Sequence, residues 1–224
     1  LEWLIALTKN GEKVVGIEHT VVPLTEDWIG AVLDLSVDDH PLALLVIQFA
    51  QQLIKWNAGS LREHPLDKII YKVCERAYYK TDHLTYECLE LLDTIVKFGD
   101  IPDEKLITLV TTLCSLVNRS EVRKDAWSLM QDLLRSRSGH RTLMLLIMII
   151  SNGKHYSDEK IIIGAVSIIT MALWGNQRVE TLRCQPTAVL PAMTVGMETS
   201  PRIMKEVFIS LKRLLTKYGK NLQQ

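Results

Sequence analysis

Residues 94–100, "TIVKFGD", close an apolar stretch with a basic residue, an aromatic one and a glycine. Similar endings recur in "LIKWNAG" (53–59), "LLRSRSG" (133–139), "MALWGNQ" (171–177) and "LLTKYGK" (214–220). Their glycines, Gly59, Gly99, Gly139, Gly175 and Gly219, lie 40, 40, 36 and 44 residues apart. Glycine suits the left-handed position that ends a helix, and a cation in the last turn complements the helix dipole. One such ending is uninformative, but five in near-register define a period. Each interval holds two helices of about 15 residues with short turns, the size of a HEAT or armadillo unit. Such a pair cannot bury its apolar faces alone, so units must stack. The period therefore predicts an all-α chain: one right-handed α-solenoid of about ten or eleven helices across 1–224, its units ending near the five glycines.

The intervals carry the matching faces. In 102–117 the apolar residues 106, 109, 110, 113 and 117 share one helical face, with Pro102 at the start. In 121–136 the stripe is 122, 126, 129, 130, 133 and 134, and in 83–99 it is 84, 88, 91, 92 and 95. Ser120 and Ser200 are placed as N-caps. The segment "GEKVVGIEHTVVP" (11–23) reads as a loop or irregular connection, with helical patterning resuming at Thr25. No linker divides the chain. Its opening, "LEWLIALTKN", starts in mid-pattern and predicts a piece of a longer protein.

Composition narrows the function. The 224 residues balance 26 basic against 26 acidic side chains, which argues against nucleic acid as a partner. Cys74, Cys88, Cys114 and Cys184 form no CxxC pair and read as buried, reduced thiols of a cytosolic protein. The charge-free run 161–175 is shorter than the ~20 residues of a membrane span. It reads instead as a helix packed between other helices.

Catalytic patterns are missing. The six histidines, at 19, 40, 64, 83, 140 and 155, form no HExxH or Cys/His metal spacing. Gly153-Lys154 is not a phosphate-binding loop, because Met148 and His155 occupy the places of the upstream glycine and the following hydroxyl residue. No GxSxG elbow occurs. Asp103-Glu104 and Asp158-Glu159 fall at helix starts, where acids stabilise the dipole. No catalytic residue, metal site or cofactor is expected.

Two basic features remain. The last helix carries Arg202, Lys205, Lys212, Arg213, Lys217 and Lys220 against one acid, Glu206. Its apolar stripe, 203, 204, 207, 208, 211, 214, 215 and 218, leaves those cations outside, as a solvated face or as a ridge for an acidic partner. Upstream, "MALWGNQRVETLRCQPTAVLP" (171–191) ends a helix at Trp174-Gly175 and then presents Arg178 and Arg183. These arginines suit nearby helix C-terminal carbonyls, or a partner. Pro186 starts the next helix, and Pro191 bends or breaks it after one turn.

The stretch 171–191 also carries a resemblance. The pattern MALWG-x-x-R-x-x-x-L-R-x-x-P-T-x-V-L-P is met at Met171–Gly175, Arg178, Leu182, Arg183, Pro186, Thr187 and Val189–Pro191. It resembles the N-terminal region of the tuberin family, GTPase-activating subunits of the tuberous sclerosis complex. "LITLVTTLCSLVN" and "AWSLMQDLLRSRSGH" resemble the preceding repeat of that family, and the likeness is fainter before about residue 80. The resemblance implies a HEAT-type scaffold that binds the coiled coil of hamartin. It further implies that GTP hydrolysis by a Rheb-type GTPase is activated by a separate C-terminal domain, absent from 1–224, so that this region has no catalysis of its own. The parent complex would restrain TOR signalling, in the cytoplasm and at lysosomal or vacuolar membranes. Partner-binding candidates are Arg178, Arg183, Lys212, Arg213, Lys217 and Lys220; Trp174, Gly175, Pro186 and Pro191 form the structural joint. An unrelated solenoid adaptor of transport or membrane-coat assembly is the alternative.

Overall fold

The computed structural model describes residue 6 and residues 17–34, 40–57, 66–80 and 82–219. Among these are ten α-helices and no strand. They are α1 (Ile17–Asp34), α2 (His40–Asn57), α3 (Asp67–Tyr79), α4 (His83–Phe98) and α5 (Asp103–Leu116). Then follow α6 (Arg123–Arg135), α7 (Gly139–Ser151), α8 (Glu159–Ile169), α9 (Leu190–Met197) and α10 (Pro201–Tyr218). Gly59, Lys220 and residues 11–16 lie outside the described residues. The chain packs as two compact units, residues 1–109 and 110–224.

In the first unit α1 packs on α2 and α3 on α4, while α1 also packs on α3 and α2 on α4. Contact with both the next helix and the one after it is the pattern of stacked helix pairs. The second unit repeats it: α7 meets α8 and α9, and α10 meets α9 and α8. The period is visible in single hydrogen bonds. Lys72 reaches Asp34 across 38 residues, Asn118 reaches the Lys160 carbonyl across 42, and Thr170 meets Ser210 across 40.

The predicted stripes of α4, α5 and α6 are buried at every position named above, from Leu84 to Leu134. Asp82 caps α4 reciprocally: its carboxylate accepts from the Thr85 N–H at 3.2 Å while Thr85 Oγ1 accepts from the Asp82 N–H at 3.0 Å. Ser200 caps α10 through the Ile203 N–H. Ser120 caps nothing, because α6 starts later, after Val122.

Several expectations need correction. No described glycine takes the left-handed conformation: Gly99 (φ −89°) and Gly175 (φ −73°) are extended, and Gly219 is helical (φ −55°). Close approach is what requires glycine. A Cβ on Gly175 would lie 2.7 Å from the Met171 Cα, and one on Gly99 2.9 Å from the Ile95 carbonyl oxygen. Residues 17–23 are helical rather than irregular. Helix α1 runs through Pro23, whose missing N–H leaves a gap in the ladder, and the Thr25 hydroxyl donates to the Val21 carbonyl at 2.6 Å. Cys74, Cys88 and Cys114 are buried, but Cys184, in the loop between α8 and α9, is only half-buried. Burial pushes the Cys88 thiol up to about 12, where it stays protonated at neutral pH.

Candidate partner-binding surface

The surface is built where α8 ends. After Ile169 the helix widens into one π-helical turn, Thr170–Trp174, and then stops at Gly175. The following loop folds back: the Val179 N–H donates to the Ala172 carbonyl at 2.8 Å, and Val179 and Leu182 are buried as its anchors. Trp174 is buried, and its indole N–H donates to the Ser210 carbonyl of α10 at 3.2 Å.

Contacts between α8 and α10 rise in parallel along both helices. Glu159 pairs with Arg202 at 3.8 Å, and Ser167 donates to Glu206 at 3.0 Å. Thr170 and Ser210 share a buried hydroxyl contact of 2.6 Å. The Thr170 proton goes to the Val166 carbonyl, so Ser210 must be the donor to Thr170. Farther along, Lys217 donates to the Gly175 carbonyl at 3.2 Å, and Arg178 to the Tyr218 hydroxyl at 3.4 Å. The expected arginine-to-carbonyl contact is therefore made by Lys217, because the loop carries Arg178 past the helix end to the tip of α10.

Trp174, Gly175, Arg178 and Lys217 are thus brought together in one joint. Arg183 is exposed and contacts none of these groups among the described residues. Pro186 opens a short 3₁₀ turn, Pro186–Val189, that leads into α9. Pro191 lies in the first turn of α9, where its missing N–H costs no hydrogen bond, so it starts that helix rather than breaking it.

On α10 the expected stripe splits in two. Ile203, Val207 and Leu214 are buried, whereas Met204, Phe208 and Leu215 are exposed, Phe208 and Leu215 by 57% and 59%. Interleaved with them, Arg202, Lys205, Lys212, Arg213 and Lys217 are all exposed. With Glu206 turned to Ser167, this outer face is basic and partly apolar. Gly164 of α8 is a structural residue that sequence periodicity did not single out: a Cβ there would overlap the Cys114 carbonyl oxygen. Its only sign is a small residue within an unbroken apolar run. Among the described residues no cluster of three His, Cys, Asp or Glu side chains could hold a metal ion. No described helix is long and apolar enough to cross a membrane.

The solved "Structure of the TSC2 N-terminus" is similar to this chain, with a TM-score of 0.77 at 18% sequence identity. The match covers 92% of this chain and 56% of that one, so this chain spans little more than half of its length. At that identity the likeness shows the fold: an all-α arrangement of stacked helices, in agreement with the resemblance to the tuberin N-terminal region. A family model described as "Domain of unknown function (DUF3384)" matches residues 1–224, and the chain belongs to that DUF3384 family.

Proposed function

We propose that this chain is a non-catalytic scaffold of the tuberin type that holds an acidic coiled-coil partner of the hamartin kind along α10. The observation that carries this reading is the outer face of α10, where Lys212, Arg213 and Lys217 stand exposed among Phe208, Ile209 and Leu215. Coiled coils present rows of charged e and g positions beside an apolar seam. The adjacent pair Lys212-Arg213 and Lys217, four residues beyond Arg213, offer cations to acidic positions of that kind. The interleaved apolar groups supply the area that ion pairs alone lack, because an exposed pair contributes only about 0.2–1 kcal/mol. The fold shared with the TSC2 N-terminus supports placing the chain in such a complex. Activation of a Rheb-type GTPase, restraint of TOR signalling and recruitment to lysosomal or vacuolar membranes would then belong to other parts of the assembly.

Co-expression with a hamartin coiled-coil fragment, followed by size-exclusion chromatography, tests the reading. Co-elution as one complex is expected. Separate elution of two folded proteins would refute it and favour an unrelated solenoid adaptor.

A further inference from the structure

Along α10 the apolar residues left outside the core follow a heptad. Met204, Phe208 and Leu215 are exposed, and Leu211 and Tyr218 are half-buried. These five lie 4, 3, 4 and 3 residues apart, the alternation of a and d positions in a coiled coil. At 1.5 Å per residue they form a seam about 22 Å long.

The charges of α10 fall on two sides of the helix. Arg202, Glu206, Arg213 and Lys217, spaced by 4, 7 and 4 residues, share one face. That face is turned to α8 and the loop that leaves it. Arg202 pairs with Glu159 at 3.8 Å, Glu206 accepts from Ser167 at 3.0 Å, and Lys217 donates to the Gly175 carbonyl at 3.2 Å. The buried residues Ile203, Val207, Ser210 and Leu214 lie between it and the seam. Lys205 and Lys212 instead directly follow Met204 and Leu211, seven residues apart, and both are exposed. In the heptad they are e positions, whereas the g positions are the buried Val207 and Leu214. One flank of the seam is therefore cationic and the other is core.

We propose that α10 pairs in heptad register with one amphipathic helix of the partner, whose acids, seven residues apart along one flank, meet Lys205 and Lys212. This rests on the docking reading above and assigns its contacts. The partner's apolar positions pack on Met204, Phe208, Leu211 and Leu215. Arg213 and Lys217, on the side of α8, attract such a helix from a distance without touching it. A second copy of α10 does not fit, because its only acid, Glu206, faces α8 and none would reach either lysine.

The affinity of the 224-residue chain and its variants for a hamartin-type coiled-coil fragment, read by fluorescence anisotropy, tests the register. Lys205→Glu/Lys212→Glu should weaken binding at least ~100-fold, and Arg213→Glu/Lys217→Glu only about tenfold. Phe208 and Ile209 are neighbours and both exposed, but only Phe208 lies on the seam. Phe208→Ala should therefore weaken binding about tenfold, and Ile209→Ala by less than about twofold. A thermal melt accompanies each variant, and the two alanine variants decide if a charge reversal does not fold. With the parent binding, equal losses in the two double variants, or at Phe208 and Ile209, would overturn the register and leave docking on α10 standing. No binding by the parent would overturn both. A dimer of the chain alone that Phe208→Ala dissociates would assign the seam to a second copy and overturn the proposal.

Discussion

Gly164 and Gly30 show how one residue type can serve opposite ends. At Gly164 the backbone of α8 lies so close to α5 that a methyl group would overlap the Cys114 carbonyl oxygen. Gly164→Ala should therefore destabilise the fold by about 1–3 kcal/mol, the usual cost of overpacking. At Gly30, inside α1, nothing lies within 4 Å of the added carbon, so Gly30→Ala should stabilise by about 0.5–1 kcal/mol through helix propensity alone. Denaturant titrations of both variants provide the check. A neutral Gly164→Ala, or a destabilised Gly30→Ala, would contradict the packing described. Asp82 is the residue-scale test of pH. Burial raises its pKa, but the hydrogen bond and charge of Arg76, with the Thr85 contacts, overbalance this and leave the pKa lowered. The unfolded chain then holds the proton more tightly, so this carboxylate stabilises the fold above the unfolded value of about 3.9. The contribution is lost as pH falls through the lower folded value. Asp82→Asn should flatten the pH dependence of the melting temperature below about pH 4 relative to the parent chain; an unchanged slope would refute the assignment.

At the scale of elements, the α8–α10 contact is the most informative joint. Ser210 donates to Thr170, and Thr170 donates to the Val166 carbonyl. Thr170→Val removes both bonds and strands a buried hydroxyl, at a cost of about 1–3 kcal/mol. Ser210→Ala leaves Thr170 with its carbonyl partner and should cost less, about 1 kcal/mol. Because the two share one contact, the double variant should cost less than the two singles together. Strict additivity in a double-mutant cycle would deny the coupling. Helix positions and inner faces were legible beforehand because 3.6-residue spacing reports directly on burial: Leu84 to Leu134 followed it at every named position. What escaped was set by atoms distant in sequence. Gly175 is extended and so close to Met171 that a Cβ would meet its Cα, and Pro191 falls in the first turn of α9 because a 3₁₀ turn that propensity does not specify precedes that helix. The split of the α10 stripe has the same origin: periodicity names a wide apolar face, but only its neighbours, α8 and α9, determine which half is covered. Of the candidate site, the joint residues Trp174 and Gly175 were legible from their motif, whereas the meeting of Lys217 with the Gly175 carbonyl depends on the fold of the loop between α8 and α9.

At the scale of the whole molecule, the central claim is that a helical scaffold of the DUF3384 family docks an acidic coiled coil on its basic outer face. No single cation should dominate, since exposed pairs are individually weak. Reversing several at once replaces attraction by repulsion and can cost several kcal/mol at an interface. Lys212, Arg213 and Lys217 are exposed, so their reversal spares the buried residues Ile203, Val207 and Leu214. It does remove the Lys217 hydrogen bond to Gly175, a small cost at an exposed position. The most direct measurement is the affinity for a hamartin-type coiled coil of the parent chain and of the Lys212→Glu/Arg213→Glu/Lys217→Glu variant, at low and moderate salt, with a thermal melt of each. The prediction is a parent affinity that falls as salt rises, and a variant that still melts cooperatively but binds at least ~100-fold more weakly. A folded variant that binds as tightly as the parent would contradict the docking surface on α10.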